Sequence, residues 1–214
     1  MSILDHWRGF NRQQRNAFVA SFLGWTLDAF DFFLMVFVLR AVAAEFHTDV
    51  KAVSVAITLT LAMRPLGALV FGMLGDRYGR RQILMIDILL FSVLELASAF
   101  APTLVALLIL RAAFGFAMGG EWGLGASLTM ETIPAKSRGL ASGILQEGYA
   151  CGFLLASIVY GLLFDRIGWR GMFMVGVLPA LLVLYIRRNV VPNPRPICRQ
   201  ASAESWEWAF PRMS

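Results

Sequence analysis

The sequence predicts an all-α polytopic membrane protein of six transmembrane helices, and three observations carry that expectation. Hydrophobic residues make up 58% of the chain and charged residues only 15%, and the mean hydropathy is +0.66, more apolar than a domain whose surface faces water. The apolar residues gather into long runs at about 17–39, 51–74, 82–100, 103–127, 139–163 and 171–188, each near the roughly 20 residues that carry a helix across a hydrocarbon core of about 30 Å. None of the runs alternates like a barrel strand, so in lipid only helices satisfy their backbones. Six such runs in 214 residues leave no room for a soluble catalytic domain.

The first run follows Arg8, Arg12 and Arg15 and is about 23 residues long, too long for the core of a cleavable signal. It is read as a permanent span, with Asp28 and Asp31 at its middle. The second holds Arg64 and Pro65, the third Glu95, and the fourth Arg111, Glu121 and a Gly115, Gly119, Gly123 stripe. Small residues at that spacing let helix backbones approach closely, and packing is their expected role, as for Gly148 and Gly152 in the fifth run. Pro65 and Pro179 are expected to bend the second and sixth spans. From 189 to 214 the chain holds Pro192, Pro194, Pro196 and Pro211 and no further run, which predicts a loose tail. The expected organisation is therefore an N-terminal segment 1–16, a bundle 17–188 and a tail 189–214.

Orientation follows from the excess of Lys and Arg on cytoplasmic loops. Arg8, Arg12, Arg15, Arg77, Arg80, Arg81, Lys136, Arg138, Arg187, Arg188, Arg195, Arg199 and Arg212 fall on one side, against Arg40, Lys51, Arg166 and Arg170 on the other. Both termini are expected in the cytoplasm, and the net charge of +5 reflects loop placement rather than a nucleic-acid partner.

An internal repeat runs through the chain. Residues 72–81, GMLGDRYGRR, match 161–170, GLLFDRIGWR, at six of ten positions with a constant offset of 89. Gly72, Leu74, Asp76, Arg77, Gly79 and Arg81 recur as Gly161, Leu163, Asp165, Arg166, Gly168 and Arg170. The same offset lays the second span on the fifth and the start of the third on that of the sixth, so the helices read as two copies of three, about 17–100 and 103–188. Because three is odd, the second copy enters the membrane from the opposite side, giving the inverted-topology repeat common among secondary transporters.

Gly72 to Arg81, continued by Gln82, Ile83 and Leu84, with Gly75 in a slot often filled by Ala and with Gly72, Asp76, Arg77, Gly79 and Arg80 in place, resembles the signature loop between helices two and three of the major facilitator superfamily. Arg111 with Gly115 and Gly119 resembles that family's fourth-helix motif, and Gly168, Trp169, Arg170 and Phe173 its approach to span six. The resemblance covers about 17–188 and implies the N-terminal six-helix half of a transporter. LGWTLDAFDFFLMVFVL at 23–39 and Gly119, Gly120, Glu121, Trp122 resemble the sialate and lactate proton-symporter branch; related sugar and aromatic-acid symporters carry similar first helices. That implies a small organic anion, such as a monocarboxylate or sialic acid, moved with protons across the plasma membrane. Full-length members have about twelve spans, and where they show a Pro, Glu, Ser, Pro run this chain reads Pro192, Asn193, Pro194, Arg195, Pro196. A truncated gene product is one expectation; a half that works with a second six-helix half or as a homodimer is the other.

Charges at mid-membrane cost roughly 2.5–3.5 kcal/mol each on insertion scales, so they pair or face a water-filled cavity. Asp28 and Asp31 share one helix face. Burial and a neighbouring Arg act in opposite senses on a carboxylate's affinity for a proton, which suits proton coupling; static ion pairs are the competing reading, with Arg111 the expected partner of Asp28 by depth. Arg64 and Arg111 are candidates to fork onto a carboxylate substrate. Glu121, Gln146 and Glu147 are expected either to line the inward mouth or, preferentially, to pair with Lys136 and Arg138; Glu95 faces the cavity or a neighbouring helix. An enzyme is not expected: His6 and His47 lie outside the spans, and neither hydrolase nor metalloprotease motifs occur. Cys151 and Cys198 have no metal or disulfide spacing, and no cofactor is implied. A non-transporting regulatory or assembly subunit derived from a transporter is the remaining alternative.

Overall fold

The structure, a computed structural model, describes residues 10–190; the expectations for Arg8, Cys198 and the proline-rich tail lie outside the described residues. Six α-helices follow one another: α1 Arg12–Glu45, α2 Val50–Tyr78, α3 Arg80–Ala99, α4 Leu104–Thr132, α5 Arg138–Val175 and α6 Pro179–Asn189, with a 3-10 turn at Ala135–Ser137 before α5. Each start has a local reason. Asn11 and Gln14 close a capping box on α1, and the side chains of Asp49 and Thr103 accept from the first-turn amides of α2 and α4, groups that have no partner inside the helix.

The two signature segments are corners. Gly79 (φ 102°) separates α2 from α3, and Gly168 (φ 63°, ψ −174°) breaks α5, both in a region that only glycine enters freely. Four stretches, Val50–Tyr78, Arg80–Ala99, Leu104–Thr132 and the 55-residue Ala135–Asn189, are long and apolar enough to cross a membrane by length and composition. The last folds at Gly168 into two antiparallel rods, 138–167 and 169–189. The second rod covers the span expected at 171–188 and is interrupted within it. Tight turns from Gly176 to Leu178 interrupt it, and Gly176 passes close over the side chains of Asp31 and Glu95. Pro179 then stands at the first position of α6, with no N–H to carry the helical ladder across the turn; the interruption falls at the residue expected to bend this span. Pro65 does lie inside α2.

Packing fixes the arrangement of the rods. α2 and α4 lie parallel, with Gly115 under the Thr60 carbonyl, Gly119 under the Arg64 carbonyl and Gly67 against the Phe116 carbonyl, so closely that a β-carbon at any of them would overlap backbone. α1 lies parallel to the first rod of α5, with Gly152 pressed on Thr26 and Gly148 on Trp25 and Thr26. Gly123 corrects the expected stripe: nothing lies within 4 Å of its would-be β-carbon, because it has turned off the face that meets α2. α4 is antiparallel to α1 and α3, as Ser21 meeting Gly125 and Arg80 meeting Glu131 show. Outward faces carry Leu69, Met73, Val105, Ile109, Leu162 and Leu181, all exposed, the surface a bilayer covers.

Each corner is braced to two other helix ends. At the first, Arg80 reaches Asp76 at 3.0 Å and Glu131 at 2.8 Å, and Arg81 donates to the Arg187 carbonyl at 2.7 Å. At the second, Arg170 reaches Glu45 at 2.7 Å and donates to the carbonyls of Ala99 at 2.7 Å and Ala101 at 3.2 Å, while Trp169 donates its indole N–H to Glu45. Gly75 gives room to Leu124, whereas Gly72 touches nothing within 4 Å. Arg77 lies over the Tyr78 ring, 5.3 Å from its centre, and Asp165 and Arg166 are exposed.

Candidate functional site

Halfway along the bundle, α1, α2, α4 and α5 part to leave an open pocket of about 440 Å³, with Trp25, Leu61, Ala68, Trp122 and Tyr149 among its walls and Arg64 on its floor. The indoles of Trp25 and Trp122 lie 5.0 Å apart in a tilted pair. Gly119 sets the depth of the site, since its contact with the Arg64 carbonyl brings α4 against the turn of α2 that carries the guanidinium. Arg64 Nη2 donates to Asp28 Oδ2 at 2.9 Å, and the Arg64 side chain stays one-fifth exposed where that of Asp28 is 3% exposed. One guanidinium nitrogen is thus tied to Asp28, and the partly exposed side chain lines a largely apolar pocket.

This corrects the expected pairing of Asp28 with Arg111. Arg111 lies on a different face of α4, wholly buried, and donates to Glu95 Oε2 and Ser98 Oγ, each at 2.6 Å. Its guanidinium lies 4.3 Å from the centre of the Phe114 ring and 4.9 Å from that of Phe173. It is closed off from the pocket and locks α3, α4 and the sixth rod together. Glu95 therefore faces a neighbouring helix. Asp31 is fully buried and neither of its oxygens has a hydrogen-bond partner among the described residues, so the static ion pair weighed for it is absent there.

Glu121 does not pair with Lys136 or Arg138, as expected from sequence. It is buried against Gly24, where a β-carbon would overlap its Oε1, because it points across the bundle to α1 rather than along α4 to the loop. Arg138 instead donates to the Ile133 carbonyl at 3.3 Å. Gln146 and Glu147 are exposed, and Gln146 lines neither this pocket nor the smaller one beside Glu121. Trp25 and Tyr149 line the site without having been singled out in the sequence reading, which named Trp122 only as part of a motif; Asp87, buried on α3, was passed over as well. Asp87 had a legible signal: a carboxylate inside the run 82–100 is as costly at membrane depth as Asp28.

Comparison with known proteins decides the family. The model described as Major Facilitator Superfamily matches residues 17–207.

The chain belongs to the major facilitator superfamily.

Among its relatives, a protein named "Probable 4-methylmuconolactone transporter" from Cupriavidus pinatubonensis is 39% identical over 182 residues, 83% of this chain and 42% of the relative. The sialic acid transporter NanX of Escherichia coli is 33% identical over 84% of this chain and 44% of its own length. The niacin transporter NiaP of Acinetobacter baylyi is 31% identical over 78% of this chain and 38% of its own. The chain thus spans less than half the length of the curated relatives it matches. Its fold is that of one half of a major facilitator protein: the E. coli xylose transporter XylE in a partially occluded inward-open conformation superposes with a TM-score of 0.78 at 21% identity, over 92% of this chain and 54% of that one. The family and these relatives are transporters rather than enzymes.

Proposed function

We propose that this chain forms one six-helix half of a proton-coupled symporter for a small organic carboxylate, with Arg64 as the carboxylate anchor and Asp28 as the acid that answers it. The observation that supports this is the hold of Asp28 on a single nitrogen of Arg64. A partly exposed guanidinium at the floor of a largely apolar pocket is matched in geometry and charge to a carboxylate. A carboxylate arriving there competes with Asp28, and a displaced Asp28 left charged and unpaired at mid-membrane would be costly. Taking up a proton removes that cost, so anion and proton bind together.

The indole and phenol walls suit a flat or apolar acid, since a polyhydroxylated one would leave its hydroxyls without partners against them. Relatives named for 4-methylmuconolactone, niacin and cis,cis-muconate transport agree with that choice. Sialic acid, carried by a protein named for it at 33% identity, fits the walls less well. The Lys and Arg distribution favours both termini in the cytoplasm of a plasma-membrane protein. The pocket side is completed by a second six-helix half or by a second copy related by two-fold symmetry.

The test is ligand binding by the purified chain in nanodiscs, read through the fluorescence of Trp25 and Trp122 with nicotinate, muconate, lactate and sialic acid as probes. Nicotinate or muconate is expected to quench. Arg64→Gln should weaken that binding by about tenfold to a hundredfold, the scale of one charged hydrogen bond, and Arg64→Lys by less. Absence of quenching by all four acids, or equal binding by Arg64→Gln, overturns the assignment.

A further inference from the structure

The two corners of the repeat differ in how their charge is met. At the second, Arg170 faces the Glu45 carboxylate 2.7 Å away. Arg81, its equivalent 89 positions earlier, meets no carboxylate among the described residues: one nitrogen donates to the Arg187 carbonyl at 2.7 Å, and its buried Nε has no hydrogen-bond partner there. The acids of the first corner, Asp76 and Glu131, are both met by Arg80. Beside Arg81 lies more positive charge instead. The carbonyl it holds belongs to Arg187, and Arg187 and Arg188 are exposed and form no ion pair among the described residues.

These three arginines close one end of a seam on the lipid-facing surface. α3 and α6 run antiparallel and bury Ile83, Leu84 and Ile88 with Val183 and Ile186 in one core cluster. Outward, Ile86 and Leu90 on α3 and Leu181 and Leu184 on α6 are exposed. Residues three and four apart share a helix face, so Leu181, Leu184 and Arg188 make one stripe, apolar along its length and basic at its end. Gln82, Ile86 and Leu90 make a second, which opens beside Arg81. The carbonyl end of α6 offsets only about half a charge, so the arginines gathered there favour an anion among them. No wall of the Arg64 pocket comes from α3 or α6, so a second half or copy closing that pocket leaves this seam to the bilayer.

We propose that the seam between α3 and α6 binds an anionic phospholipid, its phosphate held by Arg81, Arg187 and Arg188 and its acyl chains laid over Ile86, Leu90, Leu181 and Leu184. Guanidinium groups match phosphate oxygens by charge and by paired N–H donors. The apolar stripes begin one helical turn below them, the order in which acyl chains follow a headgroup. On the orientation favoured by the Lys and Arg distribution, this end faces the cytoplasmic leaflet, where anionic headgroups attract basic residues. The lipid supplies at this corner the negative charge that Glu45 supplies at the other. Neither the transported substrate nor the coupling ion enters this assignment, so it stands apart from the symport reading.

Native mass spectrometry of the full chain released from neutral detergent and titrated with dioleoylphosphatidylglycerol counts bound lipids and gives the affinity of the first. Dioleoylphosphatidylcholine, which has no net charge, and glycerol phosphate, which has no acyl chains, are the comparison probes. Phosphatidylglycerol should bind more tightly than either. Arg187→Gln with Arg188→Gln should weaken it by roughly twentyfold to thirtyfold, about fivefold for each basic residue near a headgroup, and adding Arg81→Gln should weaken it further. Arg12→Gln with Lys136→Gln removes the same charge from exposed positions elsewhere at this end and should leave the affinity unchanged. Equal weakening by the two pairs would reduce the site to the general field of that end and overturn the proposal. Phosphatidylcholine bound as tightly would remove the anion from it, and glycerol phosphate bound as tightly would remove the lipid; each overturns it. A chain that takes up phosphatidylglycerol only after Glu204→Gln with Glu207→Gln would show its own C-terminal acids on the arginines, and overturns it too.

Discussion

Arg81 and Arg170 stand 89 positions apart in sequence, and each donates to carbonyls at the closing end of the third helix of the other repeat. Arg81 holds the Arg187 carbonyl at 2.7 Å, and Arg170 holds that of Ala99 at 2.7 Å. The brace is reciprocal because the third and sixth rods run antiparallel, so the start of each lies beside the end of the other. It also satisfies carbonyls that a helix end leaves without partners, with a cation at the negative end of the helix dipole. A second pair of contacts follows the same symmetry: Arg80 binds Glu131 near the end of α4, and Trp169 and Arg170 bind Glu45 at the end of α1, the opening helices of the two repeats.

Arg170→Gln should therefore cost more than Arg81→Gln, because Arg170 gives up two carbonyl bonds and an ion pair where Arg81 gives up one carbonyl bond. The expected loss is about 1–3 kcal/mol for Arg170→Gln and about 1 kcal/mol for Arg81→Gln, read as a fall in thermal midpoint of the detergent-solubilised chain. Equal midpoints for both variants and the unaltered protein would show that the corners hold without their braces.

The outer brace is also pH-dependent. Hydrogen bonds from the Arg170 guanidinium, chiefly, and from the Trp169 indole hold the Glu45 carboxyl below its usual value of 4.5. A lowered folded-state value means stability that is fully present above pH 4.5 and lost as pH falls through the folded value. Thermal midpoints of the unaltered chain and of Glu45→Gln should differ at neutral pH and converge on acidification below that range. A constant difference down to the lowest pH would exclude Glu45 as the titrating partner.

Inverted repeats place equivalent corners on opposite sides of the membrane. Arg77 and Arg166 are equivalent positions and both are exposed, so single cysteines there are accessible probes in a background with Cys151 and Cys198 replaced by Ser. An impermeant maleimide applied to intact cells should label the cysteine at 166 and spare that at 77 until the cells are opened. The reverse pattern would place the termini outside, and equal labelling would break the topology.

Arg111 and Glu95 make the most enclosed ion pair of the described residues, with side chains 1% and 0% exposed. Removing one partner strands a buried charge, at about 3–5 kcal/mol, whereas replacing both by apolar or neutral groups of similar shape restores most of the loss. Arg111→Met should be severely destabilising, and Arg111→Met with Glu95→Gln much less so, by thermal unfolding. If the double variant is no more stable than Arg111→Met, the pair is not the source of the loss. Neither change should alter the affinity of the Arg64 pocket for nicotinate.

Composition and the spacing of apolar runs were enough to determine the helical membrane architecture, and the repetition of Gly-x-x-x-Asp-Arg-x-Gly with a constant register determined the two copies of three. These properties are linear: a helix in lipid closes its own hydrogen bonds, so its existence depends on its own residues alone. The costly residues were equally visible, since any charge inside an apolar run marks itself. Their partners were not. Depth along the helices suggested Arg111 for Asp28, but which face of α4 meets which helix depends on rotation about its axis, and that rotation is set by Gly115 and Gly119 pressing on Thr60 and Arg64. The same rotation turned Glu121 toward Gly24 instead of the loop and enclosed Arg111 with Glu95. Only the packed bundle, where each helix is turned by the close approach of its neighbours, determined that Arg64 has the pocket and Arg111 the core.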